Sequence, residues 1–362
     1  MRFVAREGLW QTGPQVPPPP AVAVLEVTGA VLAWTVDDPA APVQITFTDI
    51  TAADWLWRVA GEAGHVALVD ALHGTPAATG ATVDMPDLTL DPGALAPLRR
   101  LAIGHWLRRW WPASAGHAIA DLDAAVLDAE IAALTASAQE FFTEDTLDSD
   151  IDSLLQPHRD TLVAYRLDGD PRVAELAAAC AELADWTAAV DDAVPTRRRR
   201  DDYALAAGWD DFTNGWDDST TGPTIVGGTR TIAWTTVPPA IFDAAEDNVD
   251  WSVHTDSTGA VVATVRTAVR GSAAGIAVRL RCADIAATGV LTADGTATLP
   301  LGISDSAAWN QDWTATELVV GSPGVGEDRQ LRDRLRAFAR TRLAVPAPDA
   351  FLAEILAVES DY

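Results

Sequence analysis

Six histidines, His65, His73, His105, His117, His158 and His254, and two cysteines, Cys180 and Cys282, hold most of the chain's capacity for metal, nucleophilic or acid–base chemistry. Zinc sites built from local sequence draw their ligands from closely spaced pairs, and no two of these histidines fall at i, i+2 or i+4. Each cysteine stands alone, without a CxxC partner, Cys180 in an apolar helical context and Cys282 in an apparent strand. Both read as reduced core residues. A P-loop, a dinucleotide fingerprint, HExxH, GxSxG and an EF-hand loop are all absent in complete form. Catalysis would therefore need a site assembled from distant residues, as triads are. The sequence nominates no catalytic, cofactor-binding or metal-ligating residue.

Three shorter patterns carry partial signals. "EDTLDSDIDS" gathers Asp145, Asp148, Asp150 and Asp152, oxygen donors of the kind hard cations favour. It lacks the turn glycine and distal acid of a calcium loop, and reads as a solvated acidic helix start helped by the helix dipole. "VGSPGVGED", Val320 to Asp328, is glycine-rich ahead of a helix, but has no P-loop Lys and Ser/Thr, and Glu327 and Asp328 would repel a phosphate. "GWDDFTNGWDD" repeats Gly-Trp-Asp-Asp at Gly208 and Gly215. Trp209 and Trp216, each flanked by acids, suit docking into a partner's groove as linear motifs do, or packing back onto a neighbouring domain.

Two arginine surfaces carry more. In the last helical stretch Arg329, Arg332, Arg336 and Arg340 fall within about 80° of one another at 100° per residue, with Leu331, Leu335 and Phe338 opposite. In the β region, alternation sends Arg266, Arg270, Arg279 and Arg281 to the polar side of neighbouring strands. Each is a local positive patch on a chain of 52 acidic and 25 basic residues, net charge -27. That field argues against nonspecific contact with DNA, RNA or anionic lipid. The helical stripe either neutralises acidic helices of the same chain or offers a docking face to an acidic protein partner or a second copy.

The elements that must position these residues follow from periodicity. "AVAVLEVTGAVLAWTV" and "VQITFTDI" alternate with period two and predict a small antiparallel meander, with the stiff "VPPPP" run ahead of it. From Thr51, a plausible cap, "TAADWLWRVAGEAGHVALVDAL" predicts a helix weakened by its glycines. In "LRRLAIGHWLRRWWP", Ile103, Trp106, Leu107 and Trp110 make one broad apolar face, with His105, Arg108 and Arg109 opposite and Pro112 as the stop. The better account is a core face with arginines paired to carboxylates of adjacent helices. A membrane anchor would rely on anionic lipid, which the acidic surroundings oppose.

Residues 94–194 read as helices of a bundle. One apolar stripe runs through Leu127, Ile131, Leu134 and Ala138, another through Val173, Leu176, Cys180, Leu183 and Ala184. Between Asp121 and Asp192 the chain has 18 acidic and 3 basic residues. After the turn-rich stretch that begins "VPTRRRRDDY", strands return: "VDWSVHT" points Val249, Trp251 and Val253 inward and Asp250, Ser252 and His254 outward. "GVLTADGTATLPL" predicts a hairpin turning at Asp294-Gly295. The strand spacing is similar, at the level of fold only, to Ig-like and prealbumin-like modules.

The expected architecture is α+β and multidomain: a small N-terminal β element with a helix over 1–92, an acidic helical bundle over 93–194, a polar linker over 195–223, a β-sandwich over 224–320 and a C-terminal helical pair over 321–362, its second helix capped by Asp349. With no apolar run of bilayer length, the chain is expected in the cytoplasm, without membrane, nucleic acid or cofactor. The expected role is a non-catalytic adaptor or assembly subunit acting through protein–protein contact. The alternatives are a hydrolase or transferase with a non-local site and a self-assembling structural protein.

Overall fold

The computed structural model describes residues 1–142, 148–167, 169–184, 223–324, 326–345 and 347–360. The chain is α+β, and its contacts divide it into two compact units: Met1–Ala113 with Ala118–Ala193 and Asp328–Tyr362, and Ser114–His117 with Val194–Glu327. Of the stretch expected as a linker, only Pro223 lies among the described residues.

The first unit opens with β1 (Arg2–Arg6), β2 (Leu9–Thr12), β3 (Val22–Val27), β4 (Ala30–Thr35), β5 (Gln44–Phe47) and β6 (Thr82–Asp84), in the sheet order β3-β4-β5-β2-β1-β6. The expected meander is β3-β4-β5, and the sheet continues into a β1–β2 hairpin outside that reading. Its signal is the two-residue turn Glu7-Gly8, with φ of 51° and 81°, a turn whose twist matches that of paired strands. Between β3 and β4, Gly29 is required sterically, because a Cβ there would lie 2.3 Å from the Asp49 carbonyl oxygen.

Six helices follow: α1 (Trp57–His73), α2 (Pro92–Trp110), α3 (Ala124–Phe142), α4 (Asp148–Leu155), α5 (Arg159–Leu167) and α6 (Pro171–Leu183). Thr51 does not cap α1. Its amide and hydroxyl bind Asp49 in a turn, and α1 starts six residues later, with non-helical backbone at Gly61 (φ 73°). α2 buries Ile103, Trp106 and Leu107 as expected, while Trp110, the fourth residue of that face, is only half-buried with the Arg109 guanidinium over its ring, and the Trp106 indole donates to the Pro20 carbonyl at 2.6 Å. Burying a side chain of this size contributes on the order of 3 kcal/mol. The polar face of α2 pairs with carboxylates: Arg108 Nε donates to Asp128 at 2.8 Å, Arg100 binds Glu130, and Arg99 lies 3.4 Å from Asp349. The buried stripe of α6 is Val173, Ala177, Cys180 and Ala181, with Leu183 left exposed.

The second unit holds two antiparallel sheets. β7 (Thr224–Arg230), β8 (Val249–Thr255), β9 (Val261–Thr267) and β12 (Thr296–Pro300) pair in the order β12-β9-β8-β7. β10 (Ala277–Cys282), β11 (Ile285–Val290) and β13 (Glu317–Val320) pair as β11-β10-β13. Val249, Trp251, Val253 and Val265 from the first sheet and Val278, Leu280 and Cys282 from the second share one core. A short helix, α7 (Asp305–Asn310), packs Ala308 into it.

Two local expectations are corrected here. The Asp294-Gly295 turn forms, with the Thr292 amide donating to the Thr296 carbonyl at 2.8 Å. The strands it joins are not a hairpin, because β11 pairs with β10 and β12 with β9, so the chain passes from one sheet to the other. Ser252 and His254 are buried rather than solvated, since β8 is an inner strand with neighbours on both sides.

The last two helices, α8 (Arg329–Ala344) and α9 (Leu352–Glu359), belong to the first unit. Asp328 caps α8 by accepting the Leu331 amide at 2.7 Å. Asp349 does not cap α9. The N-cap is Phe351, whose amide donates to Glu354 at 2.8 Å, while Asp349 lies two residues earlier and binds Arg99 and Arg342. Among the described residues no helix is long and apolar enough to cross a membrane.

Candidate binding surface

The arginine stripe of α8 turns inward. Arg332 and Arg336 are 7% and 1% exposed, and the buried face of the helix consists of Arg332, Leu335, Arg336, Ala339 and Arg342. Only Arg329 and Arg340 of the four sequence candidates reach the surface, and Arg329 lies 3.9 Å from Asp333 of its own helix. A continuous four-arginine docking face does not exist here. A charged face is buried because carboxylates meet it: Arg336 donates to Asp333 at 2.8 Å, and Arg342 grips Glu354 through Nε and Nη2 at 2.5 and 2.6 Å. Glu354 is itself 1% exposed. Sequence reading passed over Arg342 and Glu354. Their one local signal is their position on amphipathic helices, which does not reveal that they face each other.

The arginines of the second unit separate as well. β9 and β10 lie in different sheets, so Arg266 and Arg270 do not share a surface with Arg279 and Arg281. Arg270 Nη1 lies 3.3 Å from Asp243, a buried carboxylate that also accepts the Ser114 hydroxyl at 2.7 Å and the Ala245 amide at 2.8 Å. Arg266 stands across the β8–β9 pair from Asp250, with the Asp294 carboxylate also in its field. Both are committed to internal partners. Trp209 and Trp216 lie outside the described residues.

Arg279 and Arg281 differ from the partnered arginines. They occupy successive outward positions on β10, the central strand of its sheet. Arg279 is flanked by Thr288 and Val319, and Arg281 by Ala286 and Glu317. Neither forms an ion pair or hydrogen bond among the described residues, although the chain has twice as many acidic as basic residues. Arg279 also lines an open cleft of about 490 Å³, together with Thr236, Ala277, Gly275, Thr288 and Ser322. Gly321, at the rim, is required by geometry: its φ is +87°, and a Cβ there would lie 2.1 Å from the Thr236 carbonyl oxygen. The cleft combines one cation, hydroxyl groups and small apolar walls, which suits an anionic group attached to a modest apolar body. Sequence periodicity supplied the two arginines. The convergence of residues from 236, 275–279, 288 and 321–323 is a product of the sheet pairing and has no local signature.

The nearest approach to a catalytic constellation lies in the first unit. Asp128 of α3 accepts Arg108 Nε on one oxygen and stands 3.1 Å from His158 Nε2 on the other. Both carboxylate oxygens are taken by cross-helix contacts, so the group acts as a strut between α2, α3 and the turn before α5. His105, on α2 nearby, is held below the ordinary histidine range by burial first and by Arg108 second. Burial pushes the Cys180 thiol up to about 11, and its Sγ donates to the Ala129 carbonyl at 3.3 Å. Among the described residues no group of three or more His, Cys, Asp or Glu side chains could hold a metal ion. No protein-family model matches the chain, no curated protein matches its sequence, and no solved structure matches its fold.

Proposed function

We propose that the chain is a non-catalytic cytoplasmic adaptor or assembly subunit that holds an acidic protein partner on a β-sandwich formed by its second unit. The observation that carries this reading is the pair Arg279 and Arg281, side by side on one strand, without a carboxylate partner among the described residues and beside an open cleft. They stand two residues apart on one strand of a chain whose net charge is -27. Arg332, Arg336, Arg342, Arg270 and Arg108 all have internal partners, and their burial or pairing gives them a structural role. Exposed charge adjoining a concave, partly apolar surface supports steering and docking of a partner of opposite sign.

The test is recovery of the tagged chain from its host at low salt and at about 0.5 M salt, where the Debye length is a few ångströms, with co-purifying proteins identified by mass. The expected result is a stoichiometric partner retained at low salt and lost at high salt. A chain recovered alone under both conditions overturns the adaptor reading. A mass that rises with concentration in light scattering would instead favour self-assembly.

A further inference from the structure

We infer that the ligand of this surface is an extended segment of a partner protein carrying two carboxylates two residues apart, followed by an apolar side chain. The inference rests on the adaptor reading above and specifies the chemistry of the partner. The outward track of β10 runs Arg281, Arg279, Ala277: two cations and then a small apolar position that lines the cleft. Successive outward positions on a strand lie about 6.6 Å apart, and an extended peptide repeats its own same-side groups at that interval. A peptide laid along β10 therefore sets acids at alternate positions against both guanidinium groups at once. Its next same-side residue falls over Ala277 and Gly275, where the cleft has room and the walls are small.

β10 is paired on both edges, by β11 and β13, so the segment lies across the sheet face and cannot add as a strand. Recognition then depends on side chains, which makes the spacing of the acids the determinant. A basic segment is refused by the two arginines. Glu317, opposite Arg281 on β13, forms no ion pair with it and competes with an incoming carboxylate.

The experiment titrates the full chain with blocked hexapeptides by calorimetry. One peptide has aspartates at alternate positions ahead of a leucine, a second has the same composition with adjacent aspartates, and inorganic phosphate is the bare-anion probe. The alternate peptide should bind more tightly than the adjacent one. It should lose about tenfold in affinity in Arg279→Gln and in Arg281→Gln, the loss of one charge-assisted hydrogen bond each. Glu317→Gln should tighten it. Circular dichroism verifies that each variant remains folded, since all three positions are on a sheet face. Equal binding of the two peptides, phosphate competing at the same concentration as the peptide, or affinity unchanged by both arginine variants overturns the inference. A cellular partner lost in both arginine variants, together with equal binding of the two peptides, would overturn it while leaving the adaptor reading in place. Spacing-dependent peptide binding by a chain that recovers no cellular partner would do the reverse.

Discussion

Glu354→Gln tests the claim that the arginine face of α8 is an internal surface. Glu354 accepts Arg342 Nε at 2.5 Å, Arg342 Nη2 at 2.6 Å and the Phe351 amide at 2.8 Å, at 1% exposure. Glutamine keeps one acceptor oxygen and turns an amide donor towards a guanidinium donor. Arg342 is then left buried with Asp349 at 3.3 Å as its remaining carboxylate. Breaking a buried pair by removing one partner costs about 3–5 kcal/mol, whereas an exposed pair is worth about 0–1 kcal/mol. Arg342→Met and Glu354→Leu should each cost a similar amount, and Arg342→Met/Glu354→Leu should cost only about 1–3 kcal/mol, because the apolar pair needs no neutralisation and only the Phe351 amide is left without its acceptor. The coupling energy of the cycle is then about 3 kcal/mol or more. Native-state hydrogen exchange, read at amides of 335–342 and 352–358, reports the unit that contains them separately from the other. Single variants costing less than about 1 kcal/mol, or singles that simply add in the double, would refute the reasoning.

Other consequences are open to direct measurement. With its pKa at about 11, the Cys180 thiol is about one part in a thousand thiolate at pH 8, so a maleimide should label it only after denaturation; native labelling would contradict its burial. Burial holds His105 and His254 below their unfolded value of 6.5, so the folded state binds fewer protons than the unfolded one. Their contribution is complete above 6.5 and is lost as pH falls through the folded values, and the denaturation midpoint should decline there. The decline should shrink in His105→Gln/His254→Gln; an unchanged slope would assign it to other groups. A Cβ at Gly104 would meet the Phe351 ring at 2.8 Å and Ile131 at 2.9 Å, where α2, α3 and Phe351 converge. Gly104→Ala gains about 1 kcal/mol of helix propensity and incurs about 1–3 kcal/mol of overpacking, so a lowered Tm, partly recovered by Phe351→Leu, is expected. A raised Tm would show that the three elements can move apart.

The sequence by itself determined what depends on neighbours along the chain. The period-two runs of β3, β4 and β8, the helices α2, α3 and α6, the Asp170-Pro171 start of α6 and the Asp294-Gly295 turn all form where local pattern places them, although the buried face of α6 keeps only Val173 and Cys180 of its expected stripe. Each is set by backbone sterics and side-chain spacing within a few residues. The apolar face of α2 was legible for the same reason. So was the outward direction of Arg279 and Arg281, which alternation alone dictates.

Only the tertiary structure decided which partners these faces meet. The α8 arginines became a buried face because Glu354 lies across from Arg342, and Arg334 reaches Asp37 at 2.9 Å from 297 residues away. β11 and β12 flank one turn yet join different sheets, and this placed β9 and β10 apart and divided one supposed basic patch into two. Helical or strand periodicity says that a residue lies on a face. Whether an arginine on that face is paired depends on where distant carboxylates fold, and Arg279 and Arg281 form no ion pair among the described residues although Glu317 stands across from Arg281.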